Sequence, residues 1–143
     1  MLLQILVGLS VSALNIVVHA LLTVTTIRVA RVLASRTTLH PWRHLIGLMT
    51  GTVLVLMCAH TLEVFVWSAA YALLNVAPEG ADLVYFAFVN YATLGYGDVV
   101  PVARWRLLGP MASMNGILLT GWSTAVIFEV LRKAISEHFA SSS

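Results

Sequence analysis

Apolar positions along this chain gather into three long blocks, over residues 2–27, 45–76 and 108–131, separated by stretches where charged, small and proline residues collect. Each block exceeds the roughly 20 predominantly apolar residues that a helix needs to cross a bilayer, so each is predicted to span. Between the second and third lies a shorter apolar piece, residues 82–92, which cannot span. It is predicted to be a re-entrant helix, entering the membrane and turning back. Backbone at that depth that is not helical must be buried in protein or line a water-filled path, because lipid offers it no hydrogen bonds.

Polar positions inside the blocks are also patterned. Ser12, Asn15, His19, Thr23 and Thr26 follow spacings that put them on one helical face, and such a stripe should turn toward protein, not lipid. His60 and Glu63 share a face near the middle of the second block. Ionisable groups at that depth are rare and are paired or functional, so interhelical bonding and a pH-sensitive role are both open. If the first two helices run antiparallel with Asn15 and His60 as midpoints, Ser12 meets Glu63. His19 then falls near Leu56 and needs another polar neighbour.

Composition sharpens this picture. Of 143 residues, 59% are hydrophobic and only 10% charged, against about 25% charged in soluble domains. The chain is expected to be a multi-pass membrane protein in contact with the lipid bilayer. Its net charge of +2 comes from few, scattered basic residues, which argues against a nucleic-acid partner. Arg28, Arg31, Arg36, Arg43, Arg132 and Lys133 lie on one predicted side, and only Arg104 and Arg106 on the other. That bias predicts a cytoplasmic first connection and C-terminus, with the N-terminus outside, in the cell's plasma (inner) membrane. The first block lacks the basic start and small-residue cleavage site of a signal peptide and is expected to be a retained helix. Arg28 and Arg31 are too few for a voltage-sensing ladder and are expected to snorkel. The single cysteine, Cys58, excludes an intrachain disulfide.

The candidate chemistry lies in Thr93-Leu94-Gly95-Tyr96-Gly97-Asp98, which follows the re-entrant piece. This hexapeptide resembles the T-V-G-Y-G-D filter of potassium channels, with leucine in place of valine. In such filters consecutive backbone carbonyls replace the water shell of a dehydrated ion. The resemblance implies K+ sites at Thr93, Leu94, Gly95, Tyr96 and Gly97, with Asp98 at the mouth. Glycine at alternate positions permits the backbone angles such a ribbon needs. It also implies a Thr93 hydroxyl as innermost ligand and a Tyr96 ring turned away from the ion.

With its surroundings, the chain resembles small bacterial ion channel proteins that add an N-terminal helix to a two-helix pore. The residues carrying this wider resemblance are His60 and Glu63, Tyr85-Phe86, Trp105 to Pro110, Asn115-Gly116 and Gly121 to Thr124. It implies an all-α homotetramer, because one filter strand cannot enclose an ion. The implied division is an N-terminal helix and basic loop (1–44), a pore domain (45–135) and a short polar tail (136–143), with no soluble ligand domain evident. Two departures stand out. The position four before Thr93, often acidic in the family, is Val89, so Asp98 is expected to lack that partner. Tyr85 and Phe86 replace a tryptophan pair and are expected to brace the filter.

Gly116, Gly121, Ala125 and Glu129 are candidate gate or pore-lining positions on the third helix. For the glycines, close packing is an equal alternative to a hinge. Glu129 either contributes to an acidic ring or pairs with Arg132 or Lys133. The leading expectation is a passive potassium channel, with K+ as cargo and no other cofactor. The alternatives are a weakly selective cation channel and a non-conducting membrane scaffold or accessory subunit. Inverted repeats of a transporter are not evident, and no nucleophile–base pair or metal-ligand cluster suggests an enzyme.

Overall fold

The structure, a computed structural model, describes residues 1–34 and 40–140. It holds four α-helices, α1 (Leu2–Ala34), α2 (Pro41–Leu74), α3 (Leu83–Tyr91) and α4 (Leu108–Ala140), with one 3-10 turn at Ala103–Trp105. No strand occurs among the described residues. Three of the helices, α1, α2 and α4, are long and apolar enough to cross a membrane. The nine-residue α3 is not, as expected of a re-entrant piece.

All three long helices overshoot the predicted spans at the end away from the filter. Hydropathy falls at Arg28, Arg31, Arg43, Arg132 and Lys133, but the helices continue through these residues. Long basic side chains can lay their stems on a helix and carry the charge outward, so they do not force it to stop. At 33 residues, α1 is about 50 Å long against a hydrocarbon core of roughly 30 Å, so its charged end stands in the interface. Residues 136–140, expected in a polar tail, belong to the last turns of α4. Arg36 lies outside the described residues.

Relative directions follow from contacts at the two ends. Near the filter exit, the Leu107 N–H donates to Gln4 Oε1 at 3.0 Å, so α1 begins beside the start of α4. At the far end, Ile27, Ala30 and Arg31 of α1 share a crevice with Glu129, Val130 and Lys133 of α4. Thus α1 and α4 run in the same direction, away from the filter mouth, and α2 returns. The N-terminus and the mouth share one side, as the distribution of basic residues predicts. Small residues let α1 approach: the Met111 side chain lies directly against Gly8.

Two apolar clusters hold the bundle. Near the mouth, Val64, Trp67 and Tyr71 of α2 pack on Phe86, Ala87 and Tyr91 of α3 and on Leu108 and Ala112 of α4. Trp105 joins this cluster as a core residue. The second cluster, Ala30, Leu48, Leu56, Val126 and Val130, lies toward the opposite end. Without a hydrophobic drive between helices in lipid, such contacts act through close packing and buried hydrogen bonds.

Candidate functional site

The Thr93–Asp98 ribbon is delivered by α3. Asp82 caps this helix, its Oδ1 accepting from the Val84 and Tyr85 N–H groups at 3.0 Å each. At the other end the chain unwinds gradually: Thr93 N–H donates to Asn90 O at 3.0 Å and Leu94 N–H to Val89 O at 2.9 Å. The ribbon therefore starts at a helix C-terminus, whose dipole favours positive charge.

Backbone angles then alternate. Thr93, Gly95 and Gly97 have φ of 62°, 61° and 78°. Glycine adopts this left-handed region at little cost, whereas for the β-branched Thr93 it is an outlier of the kind that clusters at functional sites. All residues from Thr93 to Asp98 are exposed on the protomer. The carbonyls from Thr93 to Gly97 accept no hydrogen bond from the described residues. Five consecutive carbonyls are thus open to a partner from outside the chain.

The mouth differs from expectation. Asp98 is supported despite Val89: the Tyr85 hydroxyl donates to Asp98 Oδ2 at 2.7 Å, from one turn earlier on α3. That bond holds the Asp98 carboxyl below its ordinary range, helped by the Val99 N–H on Oδ1. Val89 is buried in the core and serves the ribbon through its carbonyl alone. Phe86 does not reach the filter either; its ring packs on Tyr71 with centroids 5.1 Å apart. Of the aromatic pair, only Tyr85 braces the mouth.

Behind the ribbon lies a buried polar cluster. The stripe of α1 faces protein as expected, with Asn15, His19, Thr23 and Thr26 all buried. Its register differs from the expectation. Ser12 Oγ has no hydrogen-bond partner among the described residues, while His19 Nδ1 lies 2.8 Å from Glu63 Oε1. Helical side chains lean toward their own N-terminus. In an antiparallel pair this tilts His19 toward the mouth and Glu63 away from it, so they meet although their backbones lie at different levels.

The cluster also recruits residues outside the α1–α2 pair. Glu63 Oε2 accepts from the Tyr91 hydroxyl and lies 3.0 Å from His60 Nδ1. His60 Nε2 lies 2.9 Å from Ser123 Oγ, which is 3.4 Å from His19 Nε2. Asn15 Nδ2 donates to the Glu63 carbonyl at 3.2 Å and to Asn115 Oδ1 at 3.0 Å, an acceptor shared with Trp67 Nε1–H. Sequence spacing flagged His60, Glu63, Asn15 and His19, but not Tyr91 or Trp67, because neither breaks an apolar pattern. His19, His60 and Glu63 place their donor atoms within 4.8 Å of one another, with the composition of a metal-binding trio. Each of these residues also lies at hydrogen-bond distance from another partner in the cluster.

On α4 the candidate gate positions separate. Gly116 is buried, and a Cβ there would overlap the Tyr91 carbonyl oxygen, so it is a close-packing site under the pore helix. Gly121 has nothing within 4 Å of its Cβ position, and it and Ala125 are exposed on the protomer. Glu129 pairs within its own helix, with Arg132 at 2.8 Å and Lys133 at 3.2 Å.

Three helices long and apolar enough to span, packed around a short helix and an open carbonyl ribbon, suggest a multi-pass membrane protein with a channel domain. Residues 45–133 match the ion channel family, more than half of the chain, and the protein belongs to that family. Comparison with curated proteins and with solved structures finds no match. The family is one of passive ion conduction across a lipid bilayer and points to transport, not catalysis.

Proposed function

We propose that the protein is a potassium-selective channel, four copies of which surround one pore with their Thr93–Gly97 ribbons facing the axis. The observation that carries this reading is the alternation of positive φ at Thr93, Gly95 and Gly97 beside five carbonyls without partners in the chain. Such a ribbon offers neutral oxygen ligands in series, the chemistry that substitutes for the hydration shell of K+. One ribbon supplies one side of an ion's shell, and cyclic symmetry supplies the rest. The basic residues favour the mouth outside and the C-terminus in the cytoplasm of a plasma-membrane protein.

Reversal potentials of purified protein in liposomes under opposed K+ and Na+ gradients test selectivity. We expect values near the potassium equilibrium potential. Replacing Gly95 or Gly97 by alanine should remove K+ flux while leaving the protein in the membrane, because both sit at positive φ. Equal K+ and Na+ permeation would favour a weakly selective channel, and absent wild-type flux a scaffold. A strictly monomeric or dimeric protein would overturn the four-fold arrangement.

A further inference from the structure

The polar cluster behind the filter closes into a ring. Its path runs from Glu63 Oε1 through His19 to Ser123 Oγ, then through His60 back to Glu63 Oε2. Four junctions link its members, and each needs one proton to be a hydrogen bond and not a clash of lone pairs. An ionised Glu63, two neutral imidazoles and one hydroxyl supply only three. The Tyr91 proton is already committed to Glu63 Oε2, and the Tyr91 oxygen, 2.9 Å from His60 Nδ1, can only share the proton that nitrogen donates. If both Nδ1 atoms donate toward the carboxylate and Ser123 donates to His60 Nε2 at 2.9 Å, nothing remains for the 3.4 Å gap between His19 Nε2 and Ser123 Oγ.

Charge counting gives the same answer. Three ring protons leave a net charge of −1 around a carboxylate with no exposed surface, whereas four make the cluster neutral. Burying an uncompensated charge is far more costly than burying a paired one. Around the ring, α1 faces it with His19, α2 with His60 and Glu63, and α3 with Tyr91. From α4 come Ser123 and the edge of Trp122, and no ionisable group of α4 joins it among the described residues.

We propose that this ring is a proton-binding site of unit occupancy whose state is passed to the filter through Tyr91. The fourth proton closes the link between α1 and α4 at Ser123 and balances Glu63, which in turn holds the last residue of the pore helix. Alkalinisation removes that proton, opens the α1–α4 junction and leaves a charge behind Tyr91. A proton suffices as the occupant, because it turns each of these contacts into a hydrogen bond.

Nitrogen and carboxyl NMR of the full-length protein in liposomes, with a chelator present, tests this. At neutral pH we expect three protons on the four imidazole nitrogens of His19 and His60 beside an ionised Glu63, or two beside a protonated one. Raising the pH should remove one proton, and K+ flux should change over the same interval. In Glu63→Gln the imidazoles should carry two protons at neutral pH, and flux should be indifferent to pH over that interval. Two imidazole protons beside an ionised carboxylate at neutral pH, or four, would overturn the site. Wild-type flux that is constant while the proton leaves would overturn its coupling to the filter. The proton count on the wild-type protein needs no variant, so a Glu63→Gln chain that fails to fold leaves the test intact.

Discussion

The half of the bundle around the filter and the half beyond it are built differently, although both come from the same three apolar helices. At the filter half, aromatic rings, a short helix and a hydrogen-bonded cluster interlock, and Asn15, His19, Glu63 and Trp67 are fully buried. Every long helix contributes a polar group to that cluster. At the opposite half, the cluster of Ala30, Leu48, Leu56, Val126 and Val130 is smaller and purely apolar. There α1 and α2 leave between them a groove of about 240 Å³ beside Gly47 and Gly51. The difference teaches where rigidity is placed. A carbonyl ribbon in a strained conformation persists only when its surroundings over-determine it, and that support lies in the half that holds the ribbon.

The sharpest way to break this comparison is to add one methyl group at each of two sites on α4, one packed against α3 and one in open space. Gly116→Ala should drive a Cβ into the Tyr91 carbonyl and displace the base of the filter. Overpacking of this kind costs about 1 to 3 kcal/mol, and we expect a lowered unfolding midpoint in detergent together with lost or altered flux. Gly121→Ala meets nothing within 4 Å in the protomer. It should stay within about 0.5 kcal/mol of the parent. Equal responses to the two substitutions would show that the close contact of α4 with the end of α3 does not set the rigidity of the filter half.

A smaller effect is expected at the mouth, where Tyr85 holds Asp98. A carboxyl whose pKa is depressed by a native bond contributes stability above its ordinary pKa and loses it as pH falls through the lowered value. The Tyr85–Asp98 bond should therefore be intact at neutral pH and fail only in acid. In Tyr85→Phe the largest cause of the depression is gone, so Asp98 should titrate at higher pH. Carboxyl NMR of Asp98, paired with flux recorded against external pH, should show both transitions move upward. A titration unmoved by the substitution would mean that the bond does not support the mouth.

The smallest effect should come from the open groove. Gly51→Ala lies in the helix of α2 with nothing within 4 Å of the added Cβ. Relief of glycine's conformational freedom should raise stability by up to about 1 kcal/mol, read as a modest rise in the unfolding midpoint. A loss of stability there would mean that the groove is covered by another subunit or by tightly held lipid.

The sequence by itself determined the three spans, the re-entrant piece and the position of the ribbon. Each is a local property: lipid forces the backbone of an apolar segment into a helix, and alternate glycines permit alternate positive φ. It also determined that the α1 stripe would face protein, because a polar face has nowhere else to go in a bilayer. Only the tertiary structure decided what the stripe meets. His19 reaches Glu63 across 44 positions and Asn15 reaches Asn115 across 100, and such pairings depend on register and side-chain lean that no local pattern encodes. The same holds for Tyr85, which supports Asp98 in place of an acidic residue at 89 because its hydroxyl reaches the mouth from one turn earlier on α3. Helix ends differ from the predicted spans for a related reason: hydropathy records where charge begins, whereas a helix stops only where its backbone finds other partners.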